Sequence, residues 1–484
     1  MIARGLCVYT SGDNSRRAFR HIYEALRVAR SSARSPFSIH AKLRRTSIKL
    51  IQRKRIRIIQ KRQKQNYFGV DIMDKNRLES LKREYARLLV RMGINLKKGQ
   101  RLAITCPVEC ADFARLCAEE AYEAGCREVL LRWRDDKLTR MKYLKAADDV
   151  FDSVNPWEKD FCDILSEEGA GWLSIYAEDP ESLKGVDPDR IRRAQISTGR
   201  ELKAFREREM RSEFPWCVCS VPTEAWAKAV FPEMDVQDAQ LKLWEEILSA
   251  CRVGDGDAVS AWKNHSDELK RHVDILNRYD FAKLKYKNSA GTDITVELPE
   301  GHYWAGGEEK GADGRMFSAN IPTEEVFTLP KRDGINGRLV ATKPLSHNGH
   351  LIEGIVFEVR DGKITEAHAD QGEEVLKDAI TVDEGASYFG EVALVPYDSP
   401  ISRSGILFLN TLFDENASCH FAFGEAYPLI KGAENMTEDE LKAKGVNFSM
   451  THVDFMIGSA DLEITGVTRD GEEIPVFADG NFAF

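Results

Sequence analysis

The stretch from Asn410 to Ser459 places two histidines, several carboxylates and a tyrosine inside segments that otherwise read as buried strands. It runs NTLFDENASCHFAFGEAYPLIKG, then a short charged spacer, then GVNFSMTHVDFMIGS. An unpaired ionisable group on an apolar strand costs roughly several kcal/mol unless it finds a counter-charge or a metal. The expectation is a metal site. In FSMTHVDFMIG, His452 and Asp454 are two residues apart, and on a strand positions i and i+2 project from one face. The tripeptide His-Val-Asp also occurs at His272, Val273 and Asp274, within SDELKRHVDILNRY, which has helical character. On a helix, residues two apart point about 200° from each other around the axis. The earlier copy is therefore expected to be an ordinary amphipathic-helix surface, and the later copy the site.

A chain of 484 residues, 43% hydrophobic, supports more than one sizeable core. No run of about 18 apolar residues occurs, so no membrane span is expected. Ten cysteines are scattered without a CxxC pair, which predicts reduced, buried thiols in a cytosolic protein and argues against a thiolate zinc site. Charge is divided unevenly: residues 1–72 hold 18 Lys and Arg against 3 Asp and Glu, leaving 51 against 75 for the rest. Such a head, with SIKLIQRKRIRIIQKRQKQ, has the composition of a nucleic-acid or anionic-membrane binder, or of a transit peptide. The preferred reading is a dispensable extension outside the working protein, with no nucleic-acid or membrane partner for the body.

From residue 73 to about 280, helical patterns alternate with short apolar strands. QRLAITCP, REVLLRW, GWLSIYAED and PWCVCSVP read as strands; ECADFARLCAEEAYEAG reads as a helix closed by Gly125. This predicts an α/β domain with parallel βα units, serving as a scaffold. Neither GxGxxG after the first strand nor GxxxxGK[ST] is present, so nucleotide binding has no support. From 281 to 484, alternation of polar and apolar residues around DG turns, as in IVFEVRDGKITEA, predicts a mainly antiparallel β domain with one helix, QGEEVLKDAITVD.

Four places in this second domain set ligand-type side chains beside strands: Glu324 and Glu325 in NIPTEEVFTLP, Glu391 in GEVALVP, His420 with Tyr427 in SCHFAFGEAYP, and His452 with Asp454. Together they supply three carboxylates and two imidazoles, a set suited to two divalent cations about 3.5–4 Å apart. Hard carboxylates with imidazole favour zinc, cobalt or manganese. His347 and His350 in PLSHNGHLIEG sit in an expected surface turn, and Asp414 and Glu415 are read as residues that orient ligands.

These motifs, with EGHYWAGG, resemble the thermophilic-type metalloaminopeptidase family that includes aminopeptidases T and S, from residue 73 to the C-terminus. The resemblance implies that Glu325, Glu391, His420, His452 and Asp454 hold two metal ions; it selects Glu325 over Glu324. It implies removal of the N-terminal residue from short peptides with a free N-terminus, by an enzyme that forms a homodimer. Tyr427 would lie near the reacting water or substrate, donating to the developing oxyanion or acting as a ligand. Glu324, next to a ligand, is a candidate general base unless it points away along the strand. Two rival expectations are a two-metal hydrolase of phosphoesters or non-peptide amides, and a non-enzymatic assembly protein whose polar strand residues pair with each other.

Overall fold

A computed structural model describes residues 75–484 apart from 178, 255, 348 and 349. The expectations for the basic head fall outside the described residues. Those for the body can be followed strand by strand.

Arg101–Pro107, Glu128–Arg134, Gly171–Tyr176 and Trp216–Ser220 pair in parallel as expected. All but the first residue of Arg101–Pro107 are buried, which is why RLAITCP is almost continuously apolar: a parallel strand is covered on both faces. Helix Ala111–Glu123 ends just before Gly125, whose φ of +89° supplies the left-handed turn. Helices Val236–Ala250 and Ala258–Tyr279 start at Asp235 and Asp257, whose side chains accept from the first-turn N–H groups. The charged stretch between the third and fourth of the parallel strands forms two helices, Pro188–Glu201 and Lys203–Met210. The sheet takes its fifth strand, Asn320–Ile321, from later in the chain, parallel to Trp216–Ser220. Ile401, Phe408, Leu412, Phe413 and Ala417 likewise enter the core of this region, which fixes where the turn at Asp414 and Glu415 sits.

The second region holds two antiparallel sheets. One has eight strands and includes the hairpin Val356–Arg360 with Lys363–His368. Asp361 and Gly362 both take positive φ at its turn, as a two-residue hairpin loop requires. The other has five strands in the order His452–Met456, His420–Gly424, Phe389–Leu394, Val326–Thr328, Ala305–Gly306. Alternation divides its faces. Phe389, Phe421, Phe423 and Phe455 form one apolar side, and Phe357 of the larger sheet meets three of them at ring-centroid distances of 5.1 to 6.4 Å. Burying each such ring contributes about 1.5–3 kcal/mol, so register slippage would be heavily penalised. The opposite side of these strands is thereby locked in place.

Candidate metal centre

The pairing register gathers the charged residues. Ala422 lies opposite Glu391 on one side and Asp454 on the other; Gly424 lies opposite His452, and Ala393 opposite His420. Directly opposed residues share a face, so Glu391, His420, His452 and Asp454 all project together over a floor of small side chains. Phe327 pairs with Ala393, which puts Glu325, two residues earlier, on that face as well. A bulge follows Phe389, where a Cβ on Gly390 would lie 2.0 Å from the Glu425 carbonyl oxygen; only glycine fits.

One ligand atom from each of Glu325, Glu391 and His420 lies within 4.8 Å of the others. His420 Nε2 stands 3.2 Å from Glu325 Oε2 and 3.4 Å from Glu391 Oε1. His452 Nε2 stands 3.7 Å from the other oxygen of Glu391 and 3.4 Å from Asp454 Oδ1. Each imidazole turns its Nδ1 to a backbone carbonyl: His420 to Ser418 O at 3.2 Å, and His452 to Glu425 O at 2.8 Å. A carbonyl only accepts, so Nδ1 carries hydrogen and the neutral ring presents its Nε2 lone pair to the carboxylates. Acceptor then faces acceptor, and Glu325 Oε2 and Asp454 Oδ1 are buried without a hydrogen-bond partner. A cation between them satisfies both sets of lone pairs, and these residues fit a divalent metal.

Unless a cation intervenes, the carboxylates draw protons onto the rings instead, a second sign that the centre attracts positive charge. Burial disfavours the His452 cation, yet the Asp454 and Glu391 carboxylates outweigh it and raise the pKa to about 10. His420 is raised further above its ordinary value by Glu325 and Glu391, against strong desolvation. Glu391 is raised chiefly by burial; Asp454, although buried, is held below the usual carboxylate range by His452 and His420. The centre is graded in depth: His420 is 1% exposed, whereas Tyr427 at the mouth is 44% exposed, its ring edge-on to His452 at 6.0 Å. Although part of Tyr427 meets solvent, its hydroxyl end is desolvated, and that burial, with the charge of Glu391 second, holds the hydroxyl well above the ordinary phenol value.

Two expectations are corrected here. Glu324, the candidate general base, shares the face of Val326 and turns from the cluster; Arg252 donates to both its oxygens at 2.8 and 2.9 Å. A carboxylate clamped in this way is not free to take a proton from the reacting water. Asp414 does not orient the cluster but accepts from the N–H groups of Phe408 and Asn410. Its neighbour Glu415 is the residue that sequence reasoning undervalued. The short turn Glu415–Ala417 packs against strand His452–Met456, and the Glu415 carboxyl is pushed well above the usual range by burial and then by Glu325 and Asp454. The FDEN run offers two adjacent acids, and strand alternation cannot choose between them because the segment is a turn of helix, Thr411–Asp414.

Among the described residues, His272, His347 and His350 lie outside the cluster. His347 and His350 oppose each other across a short hairpin. His272 lies on helix Ala258–Tyr279 as expected, but it is not on the surface: it is 5% exposed and stacks on Phe482 at 3.9 Å. Asp274 makes an exposed helical pair with Lys270. The nine described cysteines are all free and buried, and no helix among the described residues is long and apolar enough to cross a membrane.

A carboxylate–imidazole centre on the polar face of a β-sheet, backed by a parallel α/β region, places the molecule in the class of proteins built to hold a divalent metal. Residues 78–482 match the thermophilic metalloprotease family (M29). Aminopeptidase AmpS of Bacillus subtilis (strain 168) is 44% identical over 401 residues, covering 83% of this chain and 98% of its own length. Aminopeptidase T of Thermus aquaticus is 39% identical over 401 residues, covering 82% and 97%. The solved structure of wild-type AmpT from Thermus thermophilus has a TM-score of 0.79 and 37% identity, over 84% of this chain and all of that one. The chain belongs to the thermophilic metalloprotease family and is a peptidase.

Proposed function

We propose that the protein is an aminopeptidase that removes the N-terminal residue from short peptides, using two divalent metal ions held by Glu325, Glu391, His420, His452 and Asp454. The observation that carries this reading is the position of Glu391, whose two oxygens face different imidazoles. Glu391 could thus serve two ions, one of which would be held with Glu325 and His420 and the other with His452 and Asp454. Glu415 adds a fourth carboxylate, and the excess of acids over imidazoles favours two dications over one. The oxygen and nitrogen donor set suits zinc, cobalt or manganese. Bound there, the ions would supply hydroxide at neutral pH and polarise the scissile carbonyl.

The remaining tasks fall to the chain. Tyr427 keeps its proton at neutral pH and stands at the mouth, where its hydroxyl can donate to the oxygen that gains charge. Glu415 is assigned to take up a proton: burial and the neighbouring acids oppose its ionisation, and cations bound beside it would restore the carboxylate. Residues 73–280 act as the scaffold for the catalytic half, 281–484. Nine buried thiols support a reducing, cytoplasmic setting. A homodimer that secludes the site would explain a preference for short peptides.

The test is a panel of aminoacyl-anilides, their N-acetylated forms and phosphoesters, assayed with zinc, cobalt or manganese alongside metal analysis. Cleavage restricted to free amines, with two ions per chain, is expected. Phosphoester turnover would favour the rival hydrolase, and absence of tight metal would favour an assembly protein.

A further inference from the structure

Arg252 follows helix Val236–Ala250 and adopts φ +58°, a left-handed conformation that L residues other than Asn and Asp rarely take and that glycine normally supplies after a helix. The strain at this position is offset by what the arginine side chain binds. The guanidinium makes the two-pronged pair with Glu324, whose side chain is 4% exposed, and it also donates to Ala250 O at 3.1 Å. From the other side, the Glu324 backbone N–H donates at 2.7 Å to Asn416 Oδ1, and Asn416 in turn donates to Leu412 O and Glu415 Oε1. His265 Nε2 also lies 3.7 Å from Glu324 Oε2, but its hydrogen is directed to Thr323 O at 2.8 Å, so the two hydrogen bonds that fix the carboxylate come from Arg252. A single residue, Glu324, therefore ties the chain that carries Glu325 both to the end of a helix and to the turn that carries Glu415.

We infer that Arg252 is a positioning residue for the metal centre: by clamping Glu324 it fixes the main chain at Glu325 and so holds that carboxylate in ligand geometry. This rests on the reading of Glu325 as a ligand. Arg252, His265 and Glu324 line a cavity of about 920 Å³ on their side of the chain. Water can enter there when the pair is removed, so the surrounding fold need not collapse.

Electrostatics and positioning make opposite predictions, which renders the inference testable. Removing the guanidinium makes the neighbourhood more negative, and charge alone would then tighten binding of a dication. Lost positioning weakens it, by the 10–100-fold (about) that supporting residues of metal sites commonly cost. Zn²⁺ affinity should be measured by competition with a chelating dye for wild type, Arg252→Met, and the charge-neutral double variant Arg252→Met with Glu324→Gln. The double variant leaves no unpaired buried charge and protects the test should the single one fail to fold. Weaker Zn²⁺ binding in both, with an altered visible spectrum of the Co²⁺-loaded protein, is expected. Unchanged or tighter binding with an unaltered spectrum would overturn the inference, leaving Arg252 a merely structural ion pair. Failure of the wild type itself to bind Zn²⁺ would instead overturn the reading of the centre.

Discussion

His-Val-Asp occurs twice in this chain, at 272–274 and 452–454, and the two copies meet opposite fates. On strand His452–Met456, histidine and aspartate share a face and their polar atoms come within 3.4 Å. On helix Ala258–Tyr279 the same residues diverge: His272 turns inward against Phe482, while Asp274 pairs outward with Lys270. Local sequence is identical, so side-chain periodicity alone decides whether two groups can act on one ligand. The strand copy also stands opposite Ala422 and Gly424, whose small size leaves room above the sheet. The helix copy has no such floor.

The comparison is sharpened most by the residue that joins the two halves of the strand site. Glu391→Gln should cost the largest loss, about 10⁴-fold or more in kcat/KM, or roughly 5 kcal/mol of transition-state stabilisation, with both ions lost on metal analysis. His452→Ala or Asp454→Asn should each lower kcat/KM about 10³-fold, or roughly 4 kcal/mol, and reduce metal content while far-ultraviolet circular dichroism stays native. Full metal content in either variant would break the contrast between the copies.

The helix copy should answer in stability instead. His272→Ala removes a buried ring from its stack on Phe482 and should destabilise the fold by about 1–3 kcal/mol in urea unfolding, with metal content unchanged. Its acid response has a definite sign. Burial lowers the His272 pKa to about 4 from an ordinary 6.5. The unfolded chain therefore binds the proton first, and stability falls as pH drops from 6.5 toward 4. His272→Gln should flatten that slope in part, since buried His265 shifts in the same direction. An unchanged slope would mean that the ring is already solvated. Asp274→Asn, which breaks only an exposed helical pair, should change stability by no more than about 0.5 kcal/mol.

Sequence by itself determined the strands and their faces. Period-two alternation in HFAFG and THVDF places histidine and aspartate opposite phenylalanine, and the apolar side of each strand admits one register. Glu391, His420, His452 and Asp454 stood out as ligand-type side chains on strands for that reason, and the parallel α/β region and the antiparallel region were legible as well. What lies off the strands was decided only by tertiary structure. Glu324 and Glu325 are neighbours of one type, and the choice of the second as a ligand came from resemblance, not from spacing. Their faces follow from the pairing of Val326 and Phe327 with Leu394 and Ala393, and the fate of Glu324 was sealed by Arg252, 72 residues earlier. Asp414 and Glu415 exchange their expected weight because one is captured by the Phe408 and Asn410 amides while the other meets Glu325 and Asp454. The inward turn of His272 depends on Phe482, at the far end of the chain. Periodicity is a property of consecutive residues and can be read from them. A partner hundreds of residues away is a property of packing, and no local pattern encodes which of two equivalent side chains that packing will claim.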